Sequence, residues 1–360
     1  ERAFSIGISV NGNTPETLPK YVVIEVTQRC NNRCLYCYTV WGDNEQYNPS
    51  PSLEEMTTDE IKEVIIKLQK EFPIEIIGFS GGEPLLRSDL PDLISFVKER
   101  GIAVVIITNG TLLTKELIAA TVHSVNTYQI TLLSHKKEVH DHLAGRPGAW
   151  DAAVNAMIHI SKAGGNFAVV FVATKLNYQD IQKTAELALI LGANSLMYNR
   201  INLGTHNIHF WRELLPSPTM IQENLETLEK IGETYGMRSV AAVVLEPCVV
   251  PPREYKHILI GFCPKAGENS YFTIDPYGNI RICNHSPVIL GNIRKDSIKE
   301  IYLHHPYVCN FRTTYPDECV SCAPELKDIC KGGCKAASEQ CYGTITKVDP
   351  FVHLAKQGEL

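Results

Sequence analysis

The sequence predicts an α/β protein: a partial (β/α)6 barrel followed by a small cysteine-rich domain. Three observations carry this. Short β-branched runs alternate with amphipathic segments from residue 21 to about residue 215. The chain's twelve cysteines avoid most of that stretch: three lie at 30–37, none between Cys37 and Cys248, and nine from Cys248 to Cys341. From about Pro216 the pattern gives way to Gly, Pro and Cys punctuation.

The runs are "YVVIEV" (21–26), "IEIIGF" (74–79), "AVVIIT" (103–108), "TYQITLL" (127–133), "FAVVFVAT" (167–174) and "SLMYNRI" (195–201). They are apolar almost throughout, as strands buried on both faces must be. Between them lie "TTDEIKEVIIKLQKEF", "SDLPDLISFVKERG", "TKELIAATVHSV", "GAWDAAVNAMIHISKAG" and "YQDIQKTAELALILG". Several of these open on Thr, Ser or Asp caps and close on Gly, so they read as helices. Alternating strand and helix makes a parallel sheet. A closed eight-fold barrel needs two more units than the pattern supplies. "SPTMIQENLETLEKIGETYG" reads as a bridging helix, and "SYFTIDPYGNIRIC" as a strand pair. The expected divisions are an N-terminal segment (1–20), the barrel (21–215), a bridging region (216–262), the cysteine-rich domain (263–345) and a tail (346–360).

Composition narrows the class. The chain is 44% apolar and 21% charged, with a net charge of −6 and no long basic stretch, so nucleic acid is not an expected partner. No apolar run reaches the ~18 residues of a membrane span, so no membrane role is expected. With no export signal, the expected location is the cytoplasm, where clustered cysteines favour metal over disulfides.

The first cluster lies in "EVTQRCNNRCLYCYT", directly after the first strand. Three thiols, Cys30, Cys34 and Cys37, are one short of a tetrahedral zinc site. On one tight loop they suit one face of a 4Fe–4S cube whose fourth iron is open to another ligand. "SGGEP" follows the second strand and "TNG" the third, so all three motifs fall on the rim where ligands of parallel sheets bind.

The C-x3-C-x2-C spacing, with Tyr36 before the last cysteine and "GGEP" one strand later, resembles the signature of radical S-adenosylmethionine (radical SAM) enzymes. The resemblance covers roughly residues 20–215 and implies a TIM-like partial barrel. It implies that the open iron chelates SAM, which an electron cleaves to a 5′-deoxyadenosyl radical. It assigns cofactor contacts to Gly81, Gly82, Glu83 and Pro84, with Glu83 receiving the methionine ammonium, and to Thr108 and Asn109. For the ribose it offers Thr131 or Ser134, although the usual "S-L-D-G" pattern is altered. Arg200 is a candidate partner of the SAM carboxylate. Asn177 reads as a helix cap. His206 and His209 read as solvent-facing.

The later cysteines resemble the seven-cysteine SPASM domain. Fourteen residues separate Cys263 from Gly278 and four separate Gly278 from Cys283. Cys319, Cys322, Cys330, Cys334 and Cys341 complete the order, with seven residues instead of the usual five between Cys322 and Cys330. The resemblance implies two auxiliary 4Fe–4S clusters, making three in all. It places Cys263, Cys283 and Cys334 on the first, and Cys319, Cys322, Cys330 and Cys341 on the second. Cys248 is the expected fourth ligand of the first. Cys309 fits neither and is expected to be a buried hydrophobe or a hydrogen-atom donor. Some relatives carry an Asp base after the cysteine matching Cys283. Here that residue is Asn284, and His285 is the substitute candidate.

The family modifies ribosomally made peptides or oxidises and epimerises sugars. The expectation is oxidative modification or crosslinking of a peptide. The alternative is an epimerase or dehydrogenase of a carbohydrate or other small molecule, the epimerase returning hydrogen from a cysteine thiol. A reductant such as flavodoxin or ferredoxin is expected as partner. With only about 20 residues before the first strand, any peptide carrier is expected to be a separate protein.

Overall fold

The computed structural model describes residues 18–40, 54–261, 263, 270–330 and 332–360. Most of the expected N-terminal segment (1–17) therefore lies outside the described residues. β1 (Tyr21–Glu25) opens the sheet. α1 (Thr58–Glu71) starts at a capping box in which Thr57 and Glu60 each satisfy the other's backbone N–H. β2 (Ile76–Ser80), α2 (Leu90–Glu99), β3 (Ala103–Thr108), α3 (Lys115–Thr121) and β4 (Thr127–Thr131) follow as expected. α4 (Lys137–Ala144) was not anticipated: its charges hide a buried stripe of His140, Leu143 and Ala144. α5 (Ala149–Lys162), β5 (Phe167–Ala173), α6 (Ile181–Leu191) and β6 (Ser195–Arg200) complete the six units.

The bridging region holds more than a helix. After α7 (Trp211–Leu214) and α8 (Pro218–Tyr235) it supplies β7 (Ser239–Ala241) and β8 (Ile258–Ile260). These pair in parallel with β6 and with each other, so the barrel sheet is longer than six strands. Strands of three residues are too short to show a period. β9 (Tyr271–Ile274), β10 (Asn279–Arg281) and β11 (Gly291–Asn292) come next, then α9 (Ile298–His304), α10 (Pro306–Thr313), α11 (Pro324–Cys330), α12 (Lys335–Tyr342) and α13 (Pro350–Lys356).

The eleven strands of the described residues share one sheet, ordered β11-β10-β9-β1-β2-β3-β4-β5-β6-β7-β8. β9 lies parallel to β1, whereas β10 runs antiparallel to both β9 and β11. The cysteine-rich domain thus extends the barrel sheet at its first strand.

The two faces of the sheet differ. Tyr128 of β4 meets Thr121 of α3, and Tyr198 of β6 meets Asn224 of α8, so these positions face the helices. Their neighbours Gln129, Thr131, Met197 and Asn199 turn the other way and stay partly exposed. Val105, Ile107, Val170 and Val172 alternate in the same manner. That partly open face leads up to the rim.

Candidate iron–sulfur and SAM site

The loop after β1 is held from both sides. Arg33 N–H donates to Ala144 O at 3.1 Å and Leu35 N–H to Leu143 O at 3.0 Å, docking the loop on the end of α4. Across the loop, Gly82 N–H donates to Thr27 O at 2.8 Å and Glu83 N–H to Arg29 O at 2.8 Å. These contacts explain the glycines. A Cβ on Gly81 would lie 2.3 Å from Thr27 O, and one on Gly82 2.3 Å from Arg29 O; Gly81 also has φ +140°.

Cys30, Cys34 and Cys37 are all half-buried in this loop. Burial, then the Cys37 charge, pushes the Cys34 thiol up to about 12, and burial pushes Cys37 up to about 11. The thiols feel one another and keep their protons until a metal displaces them. Among the described residues no three ligating side chains converge around a single ion. A cube, with irons at separate corners, asks for no such convergence. The donor set fits it: three soft thiols on one loop beside a backbone cradle that no side chain can enter.

Glu83 is fully buried. Its carboxylate accepts from Thr108 Oγ1 at 2.6 Å, Asn109 N–H at 2.9 Å and Leu85 N–H at 3.2 Å. Burial pushes it up to about 7 against these three donors. Glu83 thus ties "GGEP" to "TNG". Pro84 starts the single turn that follows. Asn109 Nδ2 in turn donates to Asn31 Oδ1 at 2.9 Å, closing a ring of contacts from the third strand back to the cysteine loop. The Tyr36 carbonyl accepts from Asn207 Nδ2 at 3.0 Å.

Five expectations are corrected here. Ser134 is fully buried, donating to Asp180 Oδ2 at 2.7 Å and accepting from Lys136 N–H at 2.9 Å, so of the two ribose candidates only Thr131 stays partly exposed at the rim. Arg200 is buried and pairs with Glu246 at 2.9 Å and Asp349 at 2.6 Å, which leaves no guanidinium free for SAM. His285 is buried, its Nε2 against Leu203 O at 3.1 Å and its Nδ1 against Asn202 Nδ2 at 3.0 Å. Burial pushes it down to about 4, so it is a neutral structural ring and not an exposed base. Cys309 is exposed on α10, off the buried stripe of Val308 and Phe311, with its thiol donating to Leu303 O at 3.6 Å. It is therefore not a buried hydrophobe. Asn177 is a buried tie in place of a cap, its Nδ2 donating to Leu133 O at 2.7 Å. His206 and His209 are exposed, as expected.

The later cysteines form two groups. Burial pushes Cys283 up to about 12, with Cys263 next, and Cys334 is raised by burial, Asp349, Cys263 and Cys283. In the other group, Cys319 is raised by burial, then Cys248, then Cys322. Cys330 is pushed up to about 12 by burial, then Glu246, with Cys248 a smaller contributor. Cys248 therefore keeps company with Cys319, Cys322 and Cys330, and not with the first group as expected. The cause is the turn that carries it: Val249 and Val250 N–H donate to Glu246 O, and Glu246 packs on Gly333, where a Cβ would meet Glu246 Oε1 at 2.6 Å. Cys341, on α12, is raised to about 12 by burial and then by Asp349.

The two halves of the site touch. Tyr38, next to Cys37, sets its ring 4.9 Å from that of His285, edge-on, and its hydroxyl bonds Asn284, the neighbour of Cys283. Asn202, Asn207 and Tyr38 were not singled out in the sequence. Only the nearby His206 and His209 drew attention to that loop.

The sequence profile of the radical SAM superfamily matches residues 24–188, and that of the SPASM iron–sulfur cluster-binding domain matches residues 263–324. The chain belongs to the radical SAM superfamily. It uses SAM and 4Fe–4S clusters, and its residues 263–324 form a SPASM region. Two Methanosarcina barkeri proteins are similar along their length. Fe-coproporphyrin III synthase is 26% identical, covering 93% of this chain and 88% of that one. AdoMet-dependent heme synthase is 27% identical, covering 92% and 96%. Among solved structures, Streptococcus suis SuiB bound to its precursor peptide SuiA superposes with a TM-score of 0.73 at 15% identity, covering 92% of this chain and 75% of that one. The anSMEcpe enzyme with bound AdoMet and a peptide gives 0.68 at 16%, covering 94% and 95%. These two share the fold.

Proposed function

We propose that this radical SAM enzyme oxidises an unactivated C–H bond, with the electron leaving through the SPASM clusters. One observation carries the oxidative reading: the Cys37 loop and the Cys283 loop meet through Tyr38 and His285, ring centroids 4.9 Å apart. When bound, SAM and its reduced cluster supply a 5′-deoxyadenosyl radical that takes hydrogen from carbon. The chain's own residues arrange the rest. Cys30, Cys34 and Cys37 hold the cluster. Gly81, Gly82 and Asn109 shape the SAM cradle, which Glu83 braces from behind. The partly open strand face offers a mostly apolar floor of Val105, Ile107, Val170 and Met197, with Gln129 and Asn199 as its polar groups. The exposure of Cys309 supports oxidation over hydrogen return to an epimerised carbon. An outside one-electron donor, such as a flavodoxin or ferredoxin, is needed.

For the substrate, the end-to-end similarity to two porphyrin-forming enzymes supports a tetrapyrrole. A peptide is the second reading, suggested by the habit of the superfamily and compatible with the fold shared with SuiB and anSMEcpe. Loaded protein with SAM and dithionite, offered Fe-coproporphyrin III, should form more 5′-deoxyadenosine than without it, together with a porphyrin of altered mass. No rise and no new porphyrin would remove the tetrapyrrole reading. A short precursor peptide encoded beside the gene would then be the substrate to try. A rise with unchanged oxidation level of the product would count against the oxidative reading itself.

A further inference from the structure

Asn202 lies in the loop after β6, where its side chain meets three partners. Its Nδ2 is 3.0 Å from Nδ1 of His285 and 3.5 Å from Sγ of Cys334. Its Oδ1 is 3.5 Å from Nη1 of Arg200. The orientation of the amide follows from these neighbours. Arg200 has only donors, so it takes the oxygen. The amide nitrogen therefore faces Nδ1 of His285 and the sulfur of Cys334 together; Nδ1 itself lies 3.5 Å from that sulfur, and Nε2 is held by the Leu203 carbonyl at 3.1 Å. One amide hydrogen is available to each of the two.

The arrangement is anchored on every side. Arg200 is fixed by Glu246 and Asp349, and Asp349 also accepts from Cys334 N–H at 3.2 Å. The Asn202 carbonyl accepts from Asn207 Nδ2 at 2.8 Å. An N–H aimed at a ligating sulfur stabilises the more negative, reduced state of a cluster, and hydrogen bonds to sulfur are a main lever on cluster potential.

We propose that Asn202 is a positioning residue that raises the reduction potential of the auxiliary cluster held by Cys263, Cys283 and Cys334. This rests on the reading that these three cysteines hold a cluster. In that role Asn202 makes the cluster near Tyr38 the better acceptor for the electron that a substrate radical gives up as it is oxidised.

The test is a potentiometric titration followed by electron paramagnetic resonance on the full reconstituted chain. Asn202→Leu keeps volume and removes the donor, and Asn202→Ala removes it without risk of a clash. Both should retain the wild-type iron content, and one auxiliary cluster should shift to lower potential while the SAM-binding cluster stays where it was. An unchanged potential in both variants would overturn the proposal. So would a shift confined to the SAM-binding cluster, or loss of iron from both, which would mean that Asn202 serves assembly instead. Cys334→Ala separates the two layers of the inference. Full iron content in that variant would remove the ligand reading, whereas reduced iron with an unmoved potential in the Asn202 variants would remove only the tuning.

Discussion

Arg200 and Asp349, 149 residues apart in sequence, are joined by a 2.6 Å ion pair in which both side chains are buried. Glu246 completes the triad at 2.9 Å from the same guanidinium nitrogen, and the ring of Phe351 lies 4.7 Å beneath the guanidinium. The barrel, the bridging region and the C-terminal tail are thereby tied at one point.

Arg200→Met fills similar space but leaves two buried carboxylates without their cation. Breaking such a set from one side costs about 3–5 kcal/mol. Denaturant unfolding should show a loss of that size, with the tail residues the first to exchange their amide hydrogens. Wild-type stability would mean the triad contributes nothing net.

Glu83→Gln tests the brace behind the cradle. An amide can accept with only one of its two heavy atoms, so its NH2 must face Leu85 N–H or Asn109 N–H, donor against donor. A hydrogen bond to a charged group is worth ~1.5–3 kcal/mol, and SAM affinity should weaken by roughly ten- to a hundred-fold. Iron content should hold. Calorimetric titration with SAM checks this, and equal affinity in both proteins would dismiss the role given to Glu83.

His140 gives the fold a pH dependence. Its Nδ1 accepts from Leu133 N–H at 3.1 Å, and burial pushes the ring down to about 4. The unfolded ring titrates near ~6.5. The folded state therefore disfavours the proton. The stability this group contributes is whole above ~6.5 and falls as the pH drops towards 4, by about 3 kcal/mol in all. Denaturant midpoints measured across that range should decline, and His140→Gln should flatten the decline. An equal slope in the variant would assign the acid sensitivity elsewhere.

Cys309→Ala should leave iron content, SAM cleavage and turnover at wild-type levels. In deuterated water an oxidised product should be two hydrogens lighter and gain no solvent deuterium at the attacked carbon. An epimerised product gains one. Loss of turnover in Cys309→Ala, with deuterium in the wild-type product, would restore the hydrogen-return reading.

Much of this was legible in the sequence because it was local. The spacing of Cys30, Cys34 and Cys37, the two glycines before Glu83 and the six apolar runs each carry their signal within a few residues. What was hidden depends on distance along the chain. "YNRI" presents Arg200 as a lone cation at a strand end, and nothing near it announces Asp349 or Glu246. Cys248 reads as the cysteine nearest before Cys263, yet its turn is held by Gly333 and it joins Cys319 and Cys330. Ser134 reads as a rim hydroxyl until Asp180 is folded against it. β7 and β8, of three residues each, are strands only because β6 offers β7 a partner and β7 offers one to β8.

The central claim is that the loop after β1 holds the cluster at which SAM is cleaved, apart from the SPASM clusters. Iron and sulfide counted per chain after anaerobic reconstitution test it most directly. Three cubes give about twelve of each in the wild type. Cys30→Ala, Cys34→Ala and Cys37→Ala together should leave about eight of each and no 5′-deoxyadenosine from SAM and dithionite. Twelve irons retained in the triple variant, or SAM cleavage without those thiols, would contradict the account.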